Sequence, residues 1–144
     1  MTTLHDVALM RLVALRIAGP GHASAADAVR DLTAVQGQDY PGAITSVALR
    51  TLGRRRADVL AALDDGAVVR SWPMRGTLHL VAAEDLHWLI ELLGPRARAG
   101  TATRRAQLDL TDDDVEHARA AVVGALAGGH AMRREALLAA MADG

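Results

Sequence analysis

Val68-Val69-Arg70-Ser71-Trp72-Pro73-Met74-Arg75-Gly76-Thr77-Leu78-His79-Leu80-Val81 is where the apolar period of this chain changes from helical to extended. Val68 to Trp72 and Thr77 to Val81 read as strands, with Pro73-Met74-Arg75-Gly76 as the turn between them. Along the second strand Leu78 and Leu80 share one face, and Thr77, His79 and Val81 share the other. A two-stranded hairpin over about Val68 to Val81 is therefore predicted, and its register is checked by the burial of Leu78 and Leu80.

The residues before the hairpin have helical spacing. Leu9, Leu12, Val13 and Ile17 form a stripe on a first helix from about Asp6 to Ala18, stopped by Gly19-Pro20-Gly21. A second helix starts after Ser24, with Asp27 as a loose capping partner, and is expected to run to a stop at Gly37. Its inner face is Ala28, Val29, Leu32 and Val35. Asp39 can cap a third helix that tolerates Pro41 in its first turn and uses Ile44, Val47, Ala48 and Leu52. A short fourth covers Ala57 to Leu63. Several helices followed by a hairpin is the winged-helix order, so the fold class is mainly α, with a winged helix over 1–82. The expected core includes Leu12, Leu32, Val35, Val47, Leu60, Leu63, Leu78 and Leu80, with Trp72 and Trp88 as further anchors.

Beyond the hairpin a helix runs from about Glu84 to Leu93 and is expected to end at Gly94-Pro95. Arg96 to Gln107 is either a basic loop or a poorly formed helix. Thr111 and Asp114 form a capping box for a helix through about Ala127, which Gly128-Gly129 breaks, and a last helix covers about Arg133 to Ala142. Residues 83–144 thus read as a linker helix, a basic segment and the helical part of a second winged helix. No second wing follows, which predicts a truncated piece or the N-terminal part of a longer protein.

Composition narrows the function classes. The chain has 144 residues, 51% of them hydrophobic, which suits one ordinary domain or two very small ones. It has no Cys, so disulfides, thiolate zinc sites and Cys nucleophiles are excluded. None of the six His has a partner at metal-ligand spacing, and no glycine-rich phosphate loop exists, so neither a metal nor another cofactor is expected. No apolar run approaches membrane-spanning length and no signal peptide is evident, so a cytoplasmic protein without a membrane partner is expected. All sixteen basic residues are Arg. Arg50 to Ala82 holds six Arg against three Asp, and Arg96 to Gln107 holds four Arg and no acid. From Leu108 onward the balance is acidic. The Arg-rich segments are either a phosphate-binding strip or a solvated face.

Gln36-Gly37-Gln38 places two of only three Gln around one Gly at an expected helix end. These two segments together carry a resemblance. Val35-Gln36-Gly37-Gln38-Asp39, and the run from Val68 through Arg75-Gly76-Thr77-Leu78-His79 to Leu86, resemble the bacterial winged-helix DNA glycosylases. That family is built from tandem winged helices and a further β-rich part, and it carries a Gln-x-Gln or Gln-x-Asp catalytic motif. The middle residue here is Gly37, where the family usually has a larger apolar residue. The resemblance implies removal of alkylated purines or unhooking of interstrand crosslinks in double-stranded DNA at the bacterial nucleoid, with Gln36 and Gln38 catalytic.

The residues can be weighed against that expectation. A Gln amide is not a general base at neutral pH, but it can hold and orient a water. That suffices where the leaving purine is already cationic and departs neutral. Otherwise Gln36 satisfies a helix end and Gln38 is a solvated loop residue. Asp39 is either a helix cap or a water-activating base. His79 either contacts DNA or buttresses the site, or is a satisfied structural histidine, and Arg75 at the turn is placed for a phosphate. Arg54, Arg55, Arg56, Arg104 and Arg105 complete the expected DNA-contacting set. The alternative is a non-catalytic winged-helix regulator, or a helical interaction domain that merely shares the fold. The helix after Asp39 carries no charge before Arg50, which makes it a poor reader of base edges. The oligomeric state is not legible.

Overall fold

In the computed structural model, which describes residues 2–142, eight helices and one small antiparallel sheet are arranged in two compact units, Met1–Ala97 and Arg98–Gly144. The first contains α1 (Leu4–Ala14), α2 (Ala25–Asp31), β1 (Val35–Gln36), α3 (Tyr40–Ala48), α4 (Arg56–Asp64), β2 (Val68–Met74) and β3 (Thr77–Ala82). From there α5 (Ala83–Ala99) leads into the second, which holds α6 (Ala102–Gln107), α7 (Asp112–Ala125) and α8 (Arg134–Ala142). The sheet order is β1-β3-β2, and the sequence α2-β1-α3-α4-β2-β3 is compatible with a winged-helix-like unit.

The strand β1 overturns one expectation. The helix after Ser24 does not run to Gly37. It ends at Asp31, and Thr33 turns the backbone left-handed with φ 64°. Val35 and Gln36 then pair with Leu80 and His79. A β-branched residue beside an open strand edge gains more from the ladder than from another helical turn.

The hairpin forms over the expected residues. Val68 pairs with Ala82, and the register holds to Ser71 opposite His79. It then slips by one, so that Met74 faces Thr77. The extra residue is accommodated at Trp72-Pro73 as a bulge. Pro73 has no N–H to give a ladder and is fully buried there. The turn contracts to Arg75-Gly76, both left-handed at φ 52° and 66°, the geometry of a two-residue hairpin loop whose twist matches the strands. Leu80 is fully buried and Leu78 half-buried, but His79 and Val81 on the opposite face are buried too.

The core of the first unit consists of small aliphatic side chains. Val29, Ile44, Val47, Val59, Val68 and Leu80 are sealed at 0% exposure, with alanines of α2 and α3 between them. Val35 and Leu63 pack against this cluster from its edge. Six expected core residues lie outside it, of which Leu32 and Leu78 are half-buried. Leu12 is 39% exposed because α1 buries none of its residues. Leu60 is 40% exposed because α4 turns Val59 inward. Trp72 and Trp88 are 61% and 43% exposed. A cluster filled by Ala and Val leaves no volume for an indole. Trp72 stands at the bulge, and the Trp88 Nε1–H donates to Asp85 Oδ1 at 2.8 Å.

Capping chemistry sets several ends. Asp39 Oδ1 accepts from the Gly42 amide at 3.1 Å and starts α3. Thr111 and Asp114 form the reciprocal box at the start of α7, and the Thr111 hydroxyl and amide hold the Asp114 carboxyl below the ordinary aspartate value. Thr3 and Asp6 do the same for α1. Gly94-Pro95 does not end its helix. Helix α5 continues to Ala99 with Pro95 inside it, and Arg96 to Gln107 is helical except for a break at Gly100-Thr101. No helix among the described residues is long and apolar enough to cross a membrane.

Candidate active site

Gln36, Gly37 and Gln38 lie where β1 leaves the sheet. The ladder to β3 continues one step past Gln36, since the Gly37 amide donates to the Leu78 carbonyl at 2.7 Å. Regular pairing would return a bond from the Leu78 amide to the Gly37 carbonyl. That carbonyl is instead taken by Arg70, whose Nε and Nη2 donate to it at 3.2 and 2.8 Å. The Leu78 amide donates to Gln38 Oε1 at 3.1 Å. A side-chain amide has replaced a backbone carbonyl in the ladder.

Arg70 reaches this carbonyl from β2. Its guanidinium lies over the Tyr40 ring, 5.1 Å from the centroid. Tyr40 opens α3 directly after the capping Asp39, so the cap fixes the ring that carries the guanidinium. Gly37 is buried, while Gln36 and Gln38 on either side are exposed. Among the described residues the Gln36 side chain makes no hydrogen bond to protein, so its amide is free to turn. Asp39 serves as the cap, with one carboxylate oxygen on the Gly42 amide.

The other expected site residues divide by position. His79 is 3% exposed, and its Nδ1 is 2.9 Å from the Thr77 carbonyl. A carbonyl only accepts, so Nδ1 carries the proton. His79 sits between Gln36 on β1 and Ser71 on β2 in one row across the sheet. This burial places His79 within the fold, beside the Gln segment. Arg75 is exposed at the hairpin turn. Arg54 is left-handed at φ 49° and reaches the Ile17 carbonyl at 3.4 Å. Arg55 makes a two-point pair with Asp58 at 2.8 and 3.1 Å. Arg56 lines an open cleft of about 450 Å³ with Asp39, Thr45 and Arg50. Arg50 is 7% exposed and bonds Ser46 through Nη1, and its Nε has no partner. In the second unit Arg104 donates to Gln107 at 3.3 Å and Arg105 pairs with Asp112 at 2.8 Å.

A family model described as DNA glycosylase AlkZ-like matches residues 29–144. The chain belongs to the AlkZ-like DNA glycosylase family. The match includes Gln36-Gly37-Gln38 and the whole hairpin. No curated protein and no solved structure matches. AlkZ-like membership brings DNA as the substrate and DNA repair by a glycosylase as the family's activity. In this AlkZ-like chain Arg70 and Tyr40 are the residues that sequence reasoning missed. Strand alternation places Arg70 on the face of Val68, but Arg70 itself is exposed, so its position in the strand gave no signal of a partner.

Proposed function

We propose that this chain is a monofunctional DNA glycosylase that hydrolyses the N-glycosidic bond of purines made cationic by alkylation, including those in crosslinks. The observation that carries the reading is the exposed amide pair Gln36 and Gln38 around the buried Gly37, in a chain of this family. Water oxygen bonds to the sugar C1′ while the C1′–N bond breaks. The bonding pair leaves with the purine and cancels its positive charge, and the water proton passes to solvent. No general acid is needed for a leaving group that departs neutral. The amides contribute position and polarity, the two contributions that require no proton transfer. The target nucleotide must be turned out of the stack to bring C1′ to the sheet edge.

A winged-helix arrangement, with which the element order is compatible, supports this reading. In that arrangement α4, rather than the helix after Asp39, stands where a regulator carries its recognition helix. The exposed residues of α4 are Arg56, Ala57, Leu60, Ala61 and Asp64. Only Arg56 and Asp64 among them could hydrogen-bond a base edge, which is little for a sequence reader and suits a lesion enzyme that reads no sequence. A regulator reading finds no support in either helix. Backbone contact falls instead to Arg54, Arg56 and Arg75, with the exposed Trp72 beside the turn.

The test is single-turnover release of N7-methylguanine from duplex DNA. Gln38→Ala is expected to slow release on the order of a hundredfold while leaving duplex affinity largely unchanged. Full activity in Gln36→Ala/Gln38→Ala would eliminate the motif as the catalytic centre.

A further inference from the structure

We infer that Arg70 is a positioning residue that sets the orientation of the Gln38 amide. A backbone N–H can only donate, so the atom of Gln38 facing Leu78 is the oxygen, and the –NH2 group faces away. The Leu78 amide is available to Gln38 because its ordinary acceptor, the Gly37 carbonyl, is held out of the ladder by two guanidinium bonds. Tyr40 under the guanidinium and the Gly37 amide on Leu78 fix the two ends of that arrangement. Gln36 has no such constraint.

The two amides therefore have unequal roles, and this consequence rests on the glycosylase reading above. Gln38 presents N–H donors, and Gln36 turns to supply the acceptor. A water between them accepts from Gln38 through one lone pair and donates to the Gln36 oxygen. Its second lone pair is left for C1′. Without Arg70 the ladder closes on Gly37, Gln38 is released, and its donors lose their aim.

Amide hydrogen exchange of Leu78 tests this on the protein without DNA. Gln38→Ala removes the acceptor while Arg70 still holds Gly37 away, so Leu78 should exchange faster by up to about tenfold, the effect of one neutral hydrogen bond. Adding Arg70→Met frees the Gly37 carbonyl to return to the ladder. The double variant Gln38→Ala/Arg70→Met should therefore recover the protection lost in Gln38→Ala. If Arg70 merely braced the fold, the double variant would exchange at least as fast as the single one, and that outcome overturns the inference. The Leu80 and Val81 amides in the same spectra report whether each variant is folded. A variant that loses their protection is replaced by Arg70→Gln, judged in the same way. In the excision assay Arg70→Met alone should be slowed by roughly tenfold to a hundredfold with little change in duplex affinity, and Arg70→Lys should be slowed less. Absence of excision in the unaltered protein would remove the catalytic reading and leave the exchange result to stand or fall separately.

Discussion

Gly37 is buried between two exposed glutamines, yet nothing in its backbone demands glycine. It is not among the residues with positive φ. A Cβ built on it would meet Arg70 Nε, the Leu78 carbonyl and the Leu80 amide, each at an ordinary 3.6 Å. Gly37→Ala is therefore expected to keep the fold and to gain about 0.4–1 kcal/mol by restricting the unfolded chain. Urea denaturation measures it, and a loss of stability would mean that the space is not there. At this scale the sequence was legible where chemistry alone speaks. Two amides around one residue marked a candidate site, and Asp39 beside Pro41 marked a cap. Arg70 and Tyr40 were not legible, because their roles depend on a carbonyl that is free only when β1 joins the sheet.

Among the elements, the hairpin was legible because β-branched and apolar residues flank a Gly turn, and the expected span matches β2 and β3 closely. The strand β1 was not, since two residues carry no period and their pairing partner is far along the chain. The hairpin turn also has a cost. Arg75 is a non-glycine residue at φ 52°, a conformation disfavoured by about 1 kcal/mol for an L side chain. Asparagine tolerates that conformation, and Asn-Gly is the preferred pair for such a loop. Arg75→Asn should therefore raise the unfolding midpoint and, by removing the cation from the turn, weaken duplex binding. Higher stability with unchanged affinity at one fixed salt concentration would show that the strained arginine has no part in holding DNA.

At the scale of the whole molecule, a net charge of −1 conceals its segregation along the chain. The Arg54-Arg55-Arg56 run illustrates how little of it a composition count conveys. Arg55 is neutralised by Asp58 at 2.8 Å, whereas Arg56 stands in the cleft of Arg50. Replacing all three with Ala should flatten the dependence of log affinity on log salt, by about 2 rather than about 3 in slope, since each phosphate contact contributes roughly 0.9. An unchanged slope would exclude the cluster from the DNA surface. The same scale shows where the apolar pattern misled. Half the residues are hydrophobic, but in the first unit the small aliphatic ones fill the core and leave Tyr40, Trp72 and Trp88 at 37%, 61% and 43% exposure. With no Phe and no buried indole or phenol, the interior is spectroscopically dark. The folded protein should already emit like solvated tryptophan, and its near-ultraviolet dichroism should be weak. A nearly flat fluorescence melt would then say nothing against cooperative unfolding, which only the amide bands would report.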